Sequence, residues 1–98
     1  MKYSQPEGSI NLTELFKLAA GLHARGKKVE VRSLCGGAQV LVLDDENEIE
    51  WDAICHSYSY GGENGLIEIM GGPVEDSGDV EGYLTADEIL ARIDREEL

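Results

Sequence analysis

Residues 28–51 read Lys-Val-Glu-Val-Arg-Ser-Leu-Cys-Gly-Gly-Ala-Gln-Val-Leu-Val-Leu-Asp-Asp-Glu-Asn-Glu-Ile-Glu-Trp, and their periodicity decides the fold class. Val29, Val31, Ser33 and Cys35 alternate with polar neighbours, the period-two pattern of a half-buried strand. Gly36-Gly37 supplies a tight hairpin turn, which sets Val31 opposite Val42 and Ser33 opposite Val40. Val40-Leu41-Val42-Leu43 is apolar at every position, as a central strand is. Asp45-Glu46-Asn47-Glu48 forms the next turn and places Trp51 opposite Val42 and Ala53 opposite Val40. One apolar face then runs unbroken across three strands. A slip of one residue would turn that face to solvent, so the pattern itself specifies the register.

Helical signals flank this sheet. Residues 1–9 are polar, with Pro6 and Gly8, and read as a loose arm. Asn11 reads as an N-cap with Glu14 as its capping-box partner, and Ile10 with Leu15 as a hydrophobic staple. Leu12, Leu15, Phe16, Ala19 and Leu22 recur at helical spacing and Gly26 stops the run, so the first helix spans 12–25. Downstream, alternation slips at Ala53-Ile54, which predicts a β-bulge. Beyond it Ile54, His56, Tyr58 and Tyr60 share a face. Asn64-Gly65 signals a type I′ hairpin that would bring Tyr60 opposite Ile69. Residues 73–82 read as an acidic, turn-rich loop. Thr85 and Glu88 then form a capping box with Leu84 and Ile89 as staple, opening a helix over 86–96 whose buried stripe is Ala86, Ile89, Leu90 and Ile93.

The expected fold is a single α+β domain in the order α-β-β-β-β-α. Its four strands, near 28–35, 39–44, 48–60 and 66–71, form an antiparallel meander with a helix at each end. Both helices cover one face, burying Val31, Val40, Val42, Trp51, Tyr60 and Ile69. Leu34, Leu41, Leu43 and Met70 remain on the other face, an apolar remnant that invites a partner or a second copy.

Charge bounds the function. The 98 residues carry a net charge of −12, beyond the magnitude of about 2–8 suited to a small soluble domain. Residues 1–43 hold six Lys/Arg and three Asp/Glu, whereas residues 44–98 hold two Arg and seventeen Asp/Glu, so the net charges are +3 and −15. Such a surface repels nucleic-acid phosphates and anionic membranes and attracts basic partners. No apolar run approaches the roughly 20 residues of a membrane span. The start, Met1-Lys2-Tyr3-Ser4-Gln5-Pro6, lacks an apolar signal-peptide core, and Cys35 and Cys55 form no CxxC pair, which together point to reduced thiols and the cytoplasm.

Catalytic and metal chemistry find little support. Cys35, Cys55, His23 and His56 are the soft metal ligands available, and the adjacent Cys55 and His56 would point to opposite faces of a strand. A Cys/His nucleophile pair lacks an orienting third group, and acidic surroundings raise a thiol pKa. Asp44-Asp45-Glu46-Asn47-Glu48 lies between strands and has no central Gly, unlike a calcium loop. Gly36-Gly37 and Gly61-Gly62 precede strands and match neither GxGxxG nor GxxxxGK[ST], so hairpin turns account for them better than phosphate cradles do. Trp51, Tyr58 and Tyr60 read as core and cross-strand packing. No enzyme activity, metal or cofactor is expected.

The stretch Tyr58-Ser-Tyr-Gly-Gly-Glu-Asn-Gly-Leu-Ile-Glu-Ile-Met-Gly71, followed by an acidic loop and Val80-Glu-Gly-Tyr-Leu-Thr-Ala-Asp-Glu-Ile-Leu90, resembles part of a known group. It is similar to the C-terminal half of small uncharacterised acidic accessory proteins carried by phages, prophages and mobile elements of Gram-positive bacteria. The resemblance covers roughly residues 51–93 and excludes the first helix. It implies an accessory gene without assigned chemistry, so it transfers no site residues. It also implies an acidic protein aimed at a host nucleic-acid machine, as many anti-CRISPR and DNA-mimic proteins are. The expected partner is therefore a basic, nucleic-acid-handling host protein. The expected contacts are Asp44, Asp45 and Glu46 in the turn, Glu75, Asp76, Asp79 and Glu81 in the loop, and Leu41, Leu43 and Met70 on the second sheet face. The alternative is a homodimer closed by that face, with acidity serving solubility alone.

Overall fold

The computed structural model describes residues 10–72, 74 and 80–96; the arm expected over 1–9 and most of the acidic loop lie outside them. The chain is α+β, and its elements are α1 (Thr13–Ala24), β1 (Lys28–Leu34), β2 (Gly37–Leu43), β3 (Ile49–Cys55), a 3₁₀ turn (Gly62–Asn64), β4 (Ile67–Met70), β5 (Val80–Leu84) and α2 (Ala86–Glu96). The strands form one antiparallel meander in the order β1-β2-β3-β4-β5. That is one strand more than the period-two pattern predicts. β5 escapes the pattern because its register shifts between Ile67 and Ile69, with Tyr83 at a φ of 60°. Its face toward the helices also carries Glu81, which reads as loop; bidentate pairing with Arg92 at 2.6 and 2.9 Å accommodates that carboxylate there.

Both helices lie on one face of the sheet. Leu15, Leu18 and Leu22 of α1 and Ile89, Leu90 and Ile93 of α2 meet Ala38, Val40, Val42, Trp51, Ala53, Cys55, Ile67 and Ile69 in one core. Each fully buried leucine contributes roughly 1.5–3 kcal/mol relative to exposure. Trp51 pairs with Val42 and Ala53 with Val40, as the alternation requires.

The first hairpin differs from expectation by two residues. Its turn is Cys35-Gly36, with φ of 48° and 80° as a type I′ turn demands, so Val31 pairs with Val40 and Ser33 with Ala38. Sequence rules give positive φ to Gly before Cys. Here Gly37 lies inside the strand instead, where glycine is needed for another reason: a Cβ there would run into the Cys55 carbonyl. The parity of the face survives, but Val31, opposite Val40 on the outermost strand, stays 47% exposed rather than joining the core.

β3 ends at Cys55, not at residue 60. Ser59 Oγ accepts the His56 N–H at 2.9 Å and donates to the His56 carbonyl, turning the chain out of the sheet. The Glu68 carboxylate then accepts the Tyr60 N–H at 2.7 Å. Asn64-Gly65 accordingly closes a 3₁₀ turn instead of a hairpin, Ile69 pairs with Ala53, and Tyr60 is exposed. The bulge expected at Ala53-Ile54 lies instead where Leu43 meets Ile49.

At the helix starts, one capping box forms and the other does not. Thr85 Oγ1 accepts the Glu88 N–H while Glu88 accepts the Thr85 N–H at 2.8 Å. Asn11 Oδ1 accepts the Thr13 N–H at 2.9 Å, but Glu14 reaches across to accept the Ala86 N–H at 2.8 Å. α1 therefore caps α2.

Candidate partner-binding surface

The meander sorts its connections to two ends of the sheet. Lys28 pairs with Leu43, Leu43 with Ile49, and Met70 with Val80, so the β2–β3 turn and the β4–β5 connection leave from one common end. At that end, Asp44 Oδ1 accepts the N–H groups of Glu46 and Glu48 at 2.8 and 2.9 Å. Asp44 thus builds the turn, while Asp45, Glu46, Glu48 and Glu50 are exposed around it. Lys28 Nζ donates to the Asp45 carbonyl and to Asn47 Oδ1 at 3.2 and 3.3 Å, tying the basic start of β1 to the acidic turn. A hollow lined by Lys27, Lys28, Leu43, Asp44, Asp45 and Glu50 opens there.

The other expected contact residues fall into separate settings. Glu75, Asp76 and Asp79 lie outside the described residues, between Gly72 and Val80, which both stand at the acidic end. Glu81 is taken up by its bidentate pair with Arg92 beneath the sheet. On the face away from the helices, Leu41 sits between Glu30 and Asp52 and is 3% exposed. Leu34 and Leu43 are half-buried and Met70 is exposed. Arg32 Nε donates to Gln39 Oε1 at 3.0 Å, and Gln39 Nε2 donates to Asp52 Oδ2 at 2.8 Å. This polar ladder crosses the second face, which is consequently less apolar than its leucines suggest.

The opposite end of the sheet carries tyrosines. Tyr58, Tyr60 and Tyr83 are 82%, 61% and 61% exposed. The Tyr83 N–H donates to the Tyr60 carbonyl at 3.1 Å, which joins the 56–66 loop to β5. The packing role that the sequence suggests for Tyr58 and Tyr60 does not hold at these exposures. The small residues around them, Ser57, Ser59, Gly61 and Gly62, are the signal for a loop. Exposed tyrosines of this kind are common anchors in protein interfaces.

The soft ligands are dispersed. Cys35 is exposed in its turn, and Cys55 is buried with its Sγ 3.7 Å from the Asn11 carbonyl. His56 Nδ1 accepts the Tyr58 N–H at 3.0 Å. Among the described residues no group of three or more His, Cys, Asp or Glu gathers as a metal site, and no helix is long and apolar enough to cross a membrane. Compared with known proteins, the chain matches no family model, no curated protein and no solved structure.

Proposed function

We propose that this chain is a non-enzymatic, acidic protein-binding module that engages a basic, nucleic-acid-handling protein. The observation that carries this reading is the concentration of seventeen acids against two arginines in residues 44–98. The common origin of the β2–β3 turn and the β4–β5 connection at one sheet end supports it further, because a row of carboxylates can fill a groove built for phosphates. Each exposed charge contact contributes only about 0.2–1 kcal/mol, so such binding relies on many of them and on an anchor. The phage or prophage accessory role implied by the resemblance, with cytoplasmic action, belongs to the same proposal. A homodimer closed by the second sheet face has less in its favour, since Leu41 is already covered and a polar ladder occupies that face.

The test is affinity capture from a bacterial lysate with the native chain and with a variant reversed at Asp45, Glu46, Glu75, Asp76 and Asp79. The proposal expects basic nucleic-acid-binding proteins on the native chain, released by salt and by competing DNA or RNA, and absent from the variant. Neutral or acidic partners, or capture unchanged by salt, would sink it.

A further inference from the structure

We propose that β1 is a self-recognition edge, through which two copies of this chain join their sheets antiparallel about a two-fold axis at Val31. β1 is the outer strand on its side of the meander. Its hairpin turn is the two-residue Cys35-Gly36 unit, which closes on a hydrogen-bonded Leu34–Gly37 pair. By the alternation of antiparallel ladders, Leu34, Arg32, Glu30 and Lys28 turn their backbone groups toward β2. Val29, Val31 and Ser33 turn theirs outward. Among the described residues no other backbone segment bonds to those three.

The side chains then select one register. With the axis at Val31, residue 29 meets 33, residue 30 meets 32, and Val31 meets itself. Every outward-facing backbone group finds a partner. Glu30 faces Arg32 of the second copy, and Arg32 faces its Glu30, an isologous arrangement in which the same opposite-charge pair occurs twice across the axis. Val31, 47% exposed on the free edge, meets its own copy. Shifting the axis to Glu30 or Arg32 sets like charges against each other, and an axis between two residues brings inward-turned backbone to the seam. An axis at Val29 pairs Lys28 with Glu30 but overlaps only residues 28–30 of the strand. Charges on an edge strand ordinarily discourage pairing; here their alternating sign discourages every full-length register except one.

Whole-molecule charge agrees with this location. The chain is −12 overall, so most faces repel a second copy, yet β1 itself carries Lys28 and Arg32 against Glu30. Joining there puts the basic region at the centre and leaves the acidic end of each sheet outward. Phe16, 49% exposed, adds apolar surface on the same side: Glu14 and Lys17 turn toward α2, which leaves Phe16 on the flank of α1 away from it. This inference does not depend on the acidic-partner reading, and its test uses the purified chain alone.

Sedimentation velocity from about 10 µM to about 1 mM, in about 0.15 M salt to screen the net charge, should show a concentration-dependent dimer. Glu30→Arg and Arg32→Glu should each weaken it about tenfold or more, because both cross-strand pairs become repulsive. The double swap, Glu30→Arg with Arg32→Glu, should restore it to within a few-fold. Val31→Cys in a Cys35→Ser background should cross-link on oxidation, since paired Cα atoms at about 5.5 Å lie within disulfide reach. All of these positions are exposed, and thermal melts confirm folding. A monomer at every concentration overturns the proposal. So does a dimer indifferent to the single swaps, or a double swap that stays monomeric.

Discussion

Two cysteines in the same chain are placed for opposite behaviour. Cys35 lies in an exposed type I′ turn, whereas Cys55 is fully buried under α1, and burial pushes its thiol pKa up. The thiolate is the reactive form, so burial blocks Cys55 both by access and by protonation. Under native conditions an alkylating reagent should modify Cys35 quickly and Cys55 only as the protein opens. Mass spectrometry of digested samples over time checks this, and equal rates at the two sites would contradict the packing described. Gly37 shows the same dependence on surroundings. Its lack of a side chain is required by the Cys55 carbonyl across the strand pair, not by the turn next to it.

The two helices run parallel and are stitched at regular intervals. Glu14 meets the Ala86 N–H, Lys17 meets Asp87, the Cα of Gly21 lets Leu90 approach, and Arg25 meets Asp94 through a forked pair at 2.7 Å. Steps of three or four residues along α1, and from Asp87 to Leu90 to Asp94 along α2, keep these contacts on one seam. Glu14 matters most to folding, because it satisfies a backbone donor at the start of the other helix. Glu14→Ala should cost about 1 kcal/mol in urea unfolding, the usual loss for a helix cap. Glu14→Gln, which keeps an acceptor, should cost less. Hydrogen exchange at the Ala86 amide should quicken in the alanine variant; unchanged exchange would mean that Glu14 serves only its own helix.

At the scale of the whole molecule, stability is set against charge. A net −12 makes the folded state repel itself at neutral pH, and the sequence pI is about 4.3. Raising salt from about 0.01 M to 0.15 M shortens the screening length from about 30 to 8 Å and should raise the melting temperature at pH 7. Lowering pH toward 5 should act in the same direction by discharging the surface. The acid limb has the opposite sign. Hydrogen bonding from Arg25 holds the Asp94 carboxyl below its ordinary range. Its contribution is therefore present above the unfolded value near 3.9 and is lost as pH falls through the lower folded value. Melting temperature at low salt should pass through a maximum between roughly pH 4 and 6. The fall on the acid side should be shallower in Arg25→Ala. A melting temperature that instead rises monotonically from pH 4 to pH 8 would refute the self-repulsion argument.

What the sequence alone determined was whatever depends on near neighbours and on side-chain parity. The Thr85–Glu88 box, the helices, the antiparallel order, and the pairing of Trp51 with Val42 and Ala53 with Val40 all follow from local spacing. The net charge and its concentration after residue 43 were equally legible. Tertiary structure decided the points where a distant group overrules a local rule. The Cys55 carbonyl leaves no room for a Cβ at Gly37, which lies in the strand while the turn falls on Cys35-Gly36. Glu68 captures the Tyr60 N–H and keeps Tyr58 and Tyr60 out of the sheet. Arg92 allows Glu81 to face the helices, making a strand of a segment that reads as acidic loop. Each of these is a hydrogen bond, ion pair or close approach between residues eight or more apart. Periodicity cannot register such contacts, because it measures which way a side chain points and not what it meets.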